Sequence, residues 1–201
     1  MYFFLLSYPI LGAGIKYIDD AFDAKVFNKT IAIILAPLLG TLWAYTMIVD
    51  QVSATILLAI LLGVLLKGKI DNLAHLLGLI FILGIVIGTG MQFLIFPLIF
   101  LTVAALFDEV GNDLIDKNHY LNGPKYWQKL TGYFFDQRWL TKVAVLGIVI
   151  IGVFPFYFFL AMLLFDGAYL LVHWYSELKR REPCSIEKKP VLCSDPILQM
   201  R

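Results

Sequence analysis

Long apolar stretches divided by short polar ones run along the whole of this 201-residue chain. Crossing about 30 Å of hydrocarbon takes about 20 largely apolar residues in a helix, or fewer where neighbouring helices shield a short span. Seven stretches answer to that description: 1–14, 30–49, 52–66, 73–88, 91–107, 140–155 and 156–174. The pattern predicts an all-α fold, a polytopic membrane helical bundle of about seven transmembrane spans over residues 1–178, with residues 179–201 as a polar tail. The sizeable connection runs from Asp108 to Lys142, and Asn122-Gly123-Pro124 breaks it into two amphipathic pieces. Residues 126–135 set aromatics beside Lys125 and Lys129, a composition shared by a helix lying at lipid headgroups and by a solvated connector.

Composition agrees: the chain is 60% hydrophobic and 15% charged, against roughly 45–50% and about 25% in soluble domains. A net charge of +1 provides no global field that would gather nucleic acid, so the expected surroundings are membrane lipids. The placement of charge changes the picture more. Cytoplasmic loops retain lysine and arginine, and all 16 basic residues fall in four segments on one side of the predicted bilayer: 16–29, 67–69, 117–142 and 179–201. The opposite turns, at 50–51, 89–90 and 152–155, carry none. An external N-terminus and a cytoplasmic C-terminus are expected. A single span running from Lys142 to near Asp166 would reverse the tail and put six basic residues outside, which argues for a break at 152–155. The first stretch lacks a basic start and an Ala-x-Ala cleavage pattern, so it is expected to be a retained span. Cys184 and Cys193 lie in the tail without the pattern of a four-ligand zinc site and are expected to be a reduced pair.

That topology brings most carboxylates to one face. Asp19, Asp20 and Asp23 follow the first stretch, Asp71 opens the fourth, and Asp108, Glu109, Asp113 and Asp116 follow the fifth, with Asp136 before the sixth. On a helix Asp20 and Asp23 are i,i+3 and Asp19 and Asp23 are i,i+4, so the three crowd one side and repel unless a cation intervenes. The second cluster repeats the arrangement, with Asp108, Asn112 and Asp116 at i,i+4,i+8 and Glu109, Asp113 and Asp116 beside them. Two such nests of hard oxygen ligands suit a magnesium-bridged diphosphate, because Mg²⁺ leaves coordination positions for phosphate oxygens. The candidate metal ligands are Asp19, Asp20, Asp23, Asp108 and Asp116; solvated charge at helix mouths is the competing reading. Lys67 and Lys69, on a tight turn with Gly68, are the candidate catalytic cations that would neutralise the diphosphate, with His75 near the next helix start. Asn72, Asn112 and Asp166 are candidate substrate contacts; Asp166 falls near mid-membrane, where a carboxylate should face the bundle interior. Phe96, Phe107 and Tyr169 are candidate walls for an isoprenoid chain or its carbocation.

The pattern resembles the UbiA-type intramembrane prenyltransferases. That family's first acidic motif, Asn-Asp-x-x-Asp-x-x-x-Asp, is similar to Asp19-Asp20-x-x-Asp23, with Asp for Asn and Phe27 in place of the last aspartate. Its second motif, Asp-x-x-x-Asp-x-x-x-Asp, is mirrored by Asp108, Asn112 and Asp116, and Lys67-Gly68-Lys69 looks like the lysine loop between them. Four spans separate the motifs, as in that family, which usually has nine spans. The resemblance implies a Mg²⁺-dependent transferase that ionises a prenyl diphosphate and joins the carbocation to an acceptor.

Three alternatives stay open. Asp19-Asp20-x-x-Asp23 followed by Lys29 is similar to the signature of polyprenyl-phosphate sugar-1-phosphate transferases, without their later Asn- and Asp-Gly-rich segments. Asp20 to Asn28 together with Gly68-Lys69-Ile70-Asp71 echoes the prepilin-type aspartyl membrane peptidases, with Phe27 for proline and no second glycine. A non-enzymatic transporter or channel subunit would use Asp166 for translocation and the loop carboxylates as a cation-attracting vestibule.

Overall fold

The computed structural model describes residues 1–68, 72–118, 126–127, 130–131, 134 and 138–181, and of 115–118 and 181 the backbone alone. Among the described residues the chain is all helical, with seven main helices and no strand: α1 (Tyr2–Phe22), α2 (Lys29–Val49), α3 (Gln51–Lys67), α4 (Leu73–Thr89), α5 (Ile95–Asn118), α6 (Trp139–Ile150) and α7 (Phe156–Arg181). Each corresponds to one expected apolar stretch. Three are long and apolar enough to cross a membrane, Lys29–Val49, Ile95–Leu114 and Phe156–Arg180. The others fall short for visible reasons: α3 and α4 have 17 residues each and α6 has 12, while α1 carries Lys16, Asp19 and Asp20 near its end.

Local chemistry sets the ends. Asn28 accepts from the Thr30 N–H at 2.8 Å, Asp50 from the Val52 and Ser53 N–H groups, and Asn72 from the His75 N–H at 2.9 Å, each occupying donors that a helix start leaves open. Gly68, at φ +72°, closes α3 in the left-handed conformation that a side chain resists, and its N–H bonds the Leu65 carbonyl. The expected span 140–155 is helical only to Ile150; the chain turns through Gly152 before α7 starts. At the other end of the basic-rich connection, α5 runs on to Asn118, so the second acidic cluster is helical and the connection is shorter than expected. The described members of the aromatic segment, Tyr126, Trp127, Leu130, Thr131 and Phe134, are helical and exposed; Asp71, Asp136 and the two cysteines lie outside the described residues.

The helices close into a ring in the order α1, α2, α3, α5, α6, α7, with α4 laid against α2. The three most extensive pairings each rest on a glycine. A Cβ on Gly12 of α1 would overlap the Phe165 carbonyl of α7, one on Gly40 of α2 would come within 2.6 Å of the Gly78 carbonyl of α4, and one on Gly63 of α3 within 2.8 Å of the Ala105 Cβ of α5. Small residues let helix backbones approach where lipid supplies no hydrophobic drive for association. The core is apolar, but it also takes in charged groups, and much of the exterior is apolar as well. Asp20, Asp108, Glu109, Lys142 and Asp166 are buried, while α5 turns a seam of Phe96, Phe100, Val103, Phe107 and Val110 outward.

Candidate functional site

Helices α1, α3, α5 and α7 end, and α2, α4 and α6 begin, at one end of the ring, which therefore collects the charged groups. A cavity of about 410 Å³ opens there. From α1 come Lys16, Asp19 and Asp23; from the start of α4, His75; from the end of α5, Glu109 and Asn112; from the residue before α6, Arg138; and from α7, Tyr169. Further in, the walls are apolar: Leu39, Gly40 and Trp43 of α2, Ile60 and Val64 of α3, Ile82 of α4 and Phe165 of α7.

The polar groups are joined in a chain across the mouth. His75 Nε2 is 2.6 Å from Asp19 Oδ1, and the Tyr169 hydroxyl donates to Asp19 Oδ2 at 3.3 Å. The Tyr169 ring lies under both cations of the site, 5.2 Å from Lys16 Nζ and 5.6 Å from the Arg138 guanidinium, a geometry that stabilises positive charge over the ring face. Arg138 then meets Glu109 at 2.8 Å. Its backbone is left-handed, φ +50°, a conformation of cost about 1 kcal/mol or more for a side-chain-bearing residue and one that persists only where the surroundings enforce it. Burial works against the guanidinium charge, but Glu109, with Tyr169, Asp166 and Asp19, more than reverses this and holds its pKa above the ordinary value.

The sequence candidates divide. Asp19, Asp23 and Asn112 line the cavity. Asp20 and Asp108 do not: Asp20 is turned into the helix packing, 3.1 Å from Lys16 and 3.9 Å from Arg180, and its Oδ2 accepts no hydrogen bond. Asp108 caps α6, taking the Leu140 N–H at 3.1 Å, the Thr141 N–H at 2.7 Å and the Thr141 hydroxyl at 2.6 Å. Lys67 forms an ion pair with Asp113, and Asn72 serves as the α4 cap. Asp166 faces the interior as expected but is 3.0 Å from Lys142, beside a space of about 20 Å³ rather than in the large cavity. Phe96 and Phe107 point outward, at 87% and 59% exposure, and only Tyr169 of the three aromatic candidates reaches the cavity. Lys69 lies outside the described residues, as does the side chain of Asp116.

Sequence reasoning did not single out Lys16, Arg138 or Trp43. Lys16 carried a signal, since it stands one helical turn before Asp19 and Asp20; Arg138 carried none beyond its position ahead of an apolar stretch. Among the described residues no three His, Cys, Asp or Glu side chains are grouped closely enough to enclose a metal ion. A scan against protein-family models finds no match, and searches of curated proteins and of solved structures find none either.

Proposed function

We propose that this chain is a multi-pass membrane transferase of the UbiA type, moving an isoprenoid group from a prenyl diphosphate to an acceptor with the help of Mg²⁺. All seven helices cross the bilayer in this proposal, with α1, α3 and α6 packed between neighbours and α4 laid against α2, the N-terminus outside and the cavity mouth and C-terminus cytoplasmic. The segregation of the 16 basic residues supports that orientation. The observation that carries the functional reading is one cavity reached by residues of both acidic clusters, Asp19 and Asp23 on one side and Glu109 and Asn112 on the other, polar at its mouth and apolar in depth. An amphipathic substrate with an anionic head and a hydrocarbon chain matches that division.

The donor set fits Mg²⁺ rather than a metal needing a closed protein cage. Magnesium is bound through one or two carboxylates, with phosphates and waters completing its shell, and Asp19, Asp23 and Asn112 offer hard oxygens of that kind at the mouth. Bound there, it would neutralise the phosphate oxygens. Arg138 and Lys16, which line the cavity, take up the remaining phosphate charge in place of Lys67, whose ammonium is held by Asp113 outside it. The carbon–oxygen bond of the prenyl diphosphate breaks with its electron pair leaving on the diphosphate, and the allylic cation bonds to an acceptor that gives up a proton. The apolar walls keep water from capturing the cation, and the Tyr169 ring, which lies under Lys16 and Arg138, holds those two cations at the mouth.

The test is diphosphate release from farnesyl diphosphate by the purified protein in lipid nanodiscs. Release is expected only with Mg²⁺, and at least about 100-fold reduced both in Asp19→Asn/Asp23→Asn and in Arg138→Ala, the lower end of the range for lost transition-state electrostatic contacts. Equal release by the double variant would overturn the assignment.

A further inference from the structure

The apolar end of the cavity has a floor, and the floor is made of two rings. Trp43 is the deepest cavity residue on α2 and Phe165 the deepest on α7; they meet edge to face at 6.2 Å and are 5% and 3% exposed. What lies behind them is solid. Phe165 packs on Tyr8 at 6.5 Å, Tyr8 is fully buried with its hydroxyl 3.1 Å from Ser53 Oγ, and the Phe165 backbone is pressed against Gly12 so closely that no side chain fits between. Trp43 Nε1 has no hydrogen-bond partner, so packing alone holds the indole in place.

Along α4 the cavity wall runs from Ala74 to Ile82. At 1.5 Å per residue the walled depth is about 12 Å, room for about two or three isoprene units below the head group. We propose that the Trp43–Phe165 pair sets substrate length and that the site selects short isoprenoids, geranyl to farnesyl, over geranylgeranyl and longer chains. The inference rests on the transferase reading only for the diphosphate head; the floor acts on the hydrocarbon chain whatever its head group.

Binding to the full chain in nanodiscs is measured with two length series, geranyl, farnesyl and geranylgeranyl diphosphates with Mg²⁺, and the three corresponding alcohols. In both, affinity is expected to peak at geranyl or farnesyl and to fall at geranylgeranyl. Trp43→Ala should shift the optimum up by one isoprene unit, raising geranylgeranyl affinity at least about tenfold relative to geranyl, the effect of burying about two further carbons. Phe165→Leu, a smaller change at a site locked by Gly12, should shift it in the same direction by about threefold and guards against loss of folding in the first variant. Geranylgeranyl binding as tight as farnesyl in the wild type, or an unchanged ranking in folded variants, overturns the proposal. Ranked alcohols without diphosphate binding would sink the transferase reading and leave the floor standing; diphosphate binding without ranking would do the reverse, and no binding in either series would overturn both.

Discussion

The two acidic clusters share residue types and helical spacing, yet their carboxylates end in different employment. At the end of α1, Asp19 and Asp23 line the cavity, Asp19 joined there to His75 and Tyr169, while Asp20 is drawn into helix packing. At the end of α5, Asp108 caps the next helix, Asp113 pairs with Lys67, and Glu109 reaches the cavity already joined to Arg138. The difference follows from what each helix end meets. α1 passes into a short turn and leaves Asp19 and Asp23 at the cavity mouth, whereas α5 runs beside the open N–H groups at the start of α6, which draw a carboxylate to them. In a low-dielectric bundle an anion goes first to whichever donor or cation is buried beside it, so matching motifs at the level of sequence do not make matching halves of a site.

The largest test of this contrast concerns the pair farthest from the mouth. Lys142→Met leaves Asp166 as a buried charge without its ammonium partner and should destabilise the protein by about 3–5 kcal/mol, read as a fall in the thermal midpoint of the purified protein. A loss under about 1 kcal/mol would mean that Asp166 is held by other groups. Next comes the cap. Asp108→Ala strands the Leu140 and Thr141 N–H groups and should cost about 2 kcal/mol, while Asp108→Asn, which still accepts hydrogen bonds, should cost less than about 1 kcal/mol. Were the Asn variant as damaged as the Ala one, the charge of Asp108, and not its capping geometry, would be the property in use. The smallest effect is expected at Lys67→Ala. Its pair with Asp113 is partly exposed, so a change within about 1 kcal/mol and unaltered ligand affinity are predicted; a large loss of affinity would return Lys67 to the site.

Much of the helical plan was legible because its signal is one-dimensional. Seven apolar stretches foretold seven helices, and Asn122-Gly-Pro marks the connection that separates α5 from α6. The turn at Lys67-Gly68 was also readable, since a glycine after a helical run supplies the left-handed stop. Site membership was less so. Asp19 and Asp20 are neighbours in sequence but about 100° apart around α1, and only packing against α2, α4 and α7 decides which of them looks inward. The glycine seats at Gly12, Gly40 and Gly63 were invisible for a related reason: each is meaningful only against the backbone or side chain of a distant helix. Arg138 is the clearest case, a residue in a polar connection whose unusual backbone angle and contacts to α5 and α7 carry it into the cavity.

The measurement closest to the central claim is the affinity for farnesyl diphosphate with and without Mg²⁺, in the wild type, in Asp19→Asn/Asp23→Asn and in Asp50→Asn, the last a cap at the opposite end of the ring that asparagine can still form. The account predicts Mg²⁺-dependent binding that the double variant weakens by at least about 30-fold, the loss expected when charged contacts to a buried ligand are removed, and that Asp50→Asn leaves unchanged. Binding that ignores Mg²⁺, or that survives intact in the double variant, would contradict it.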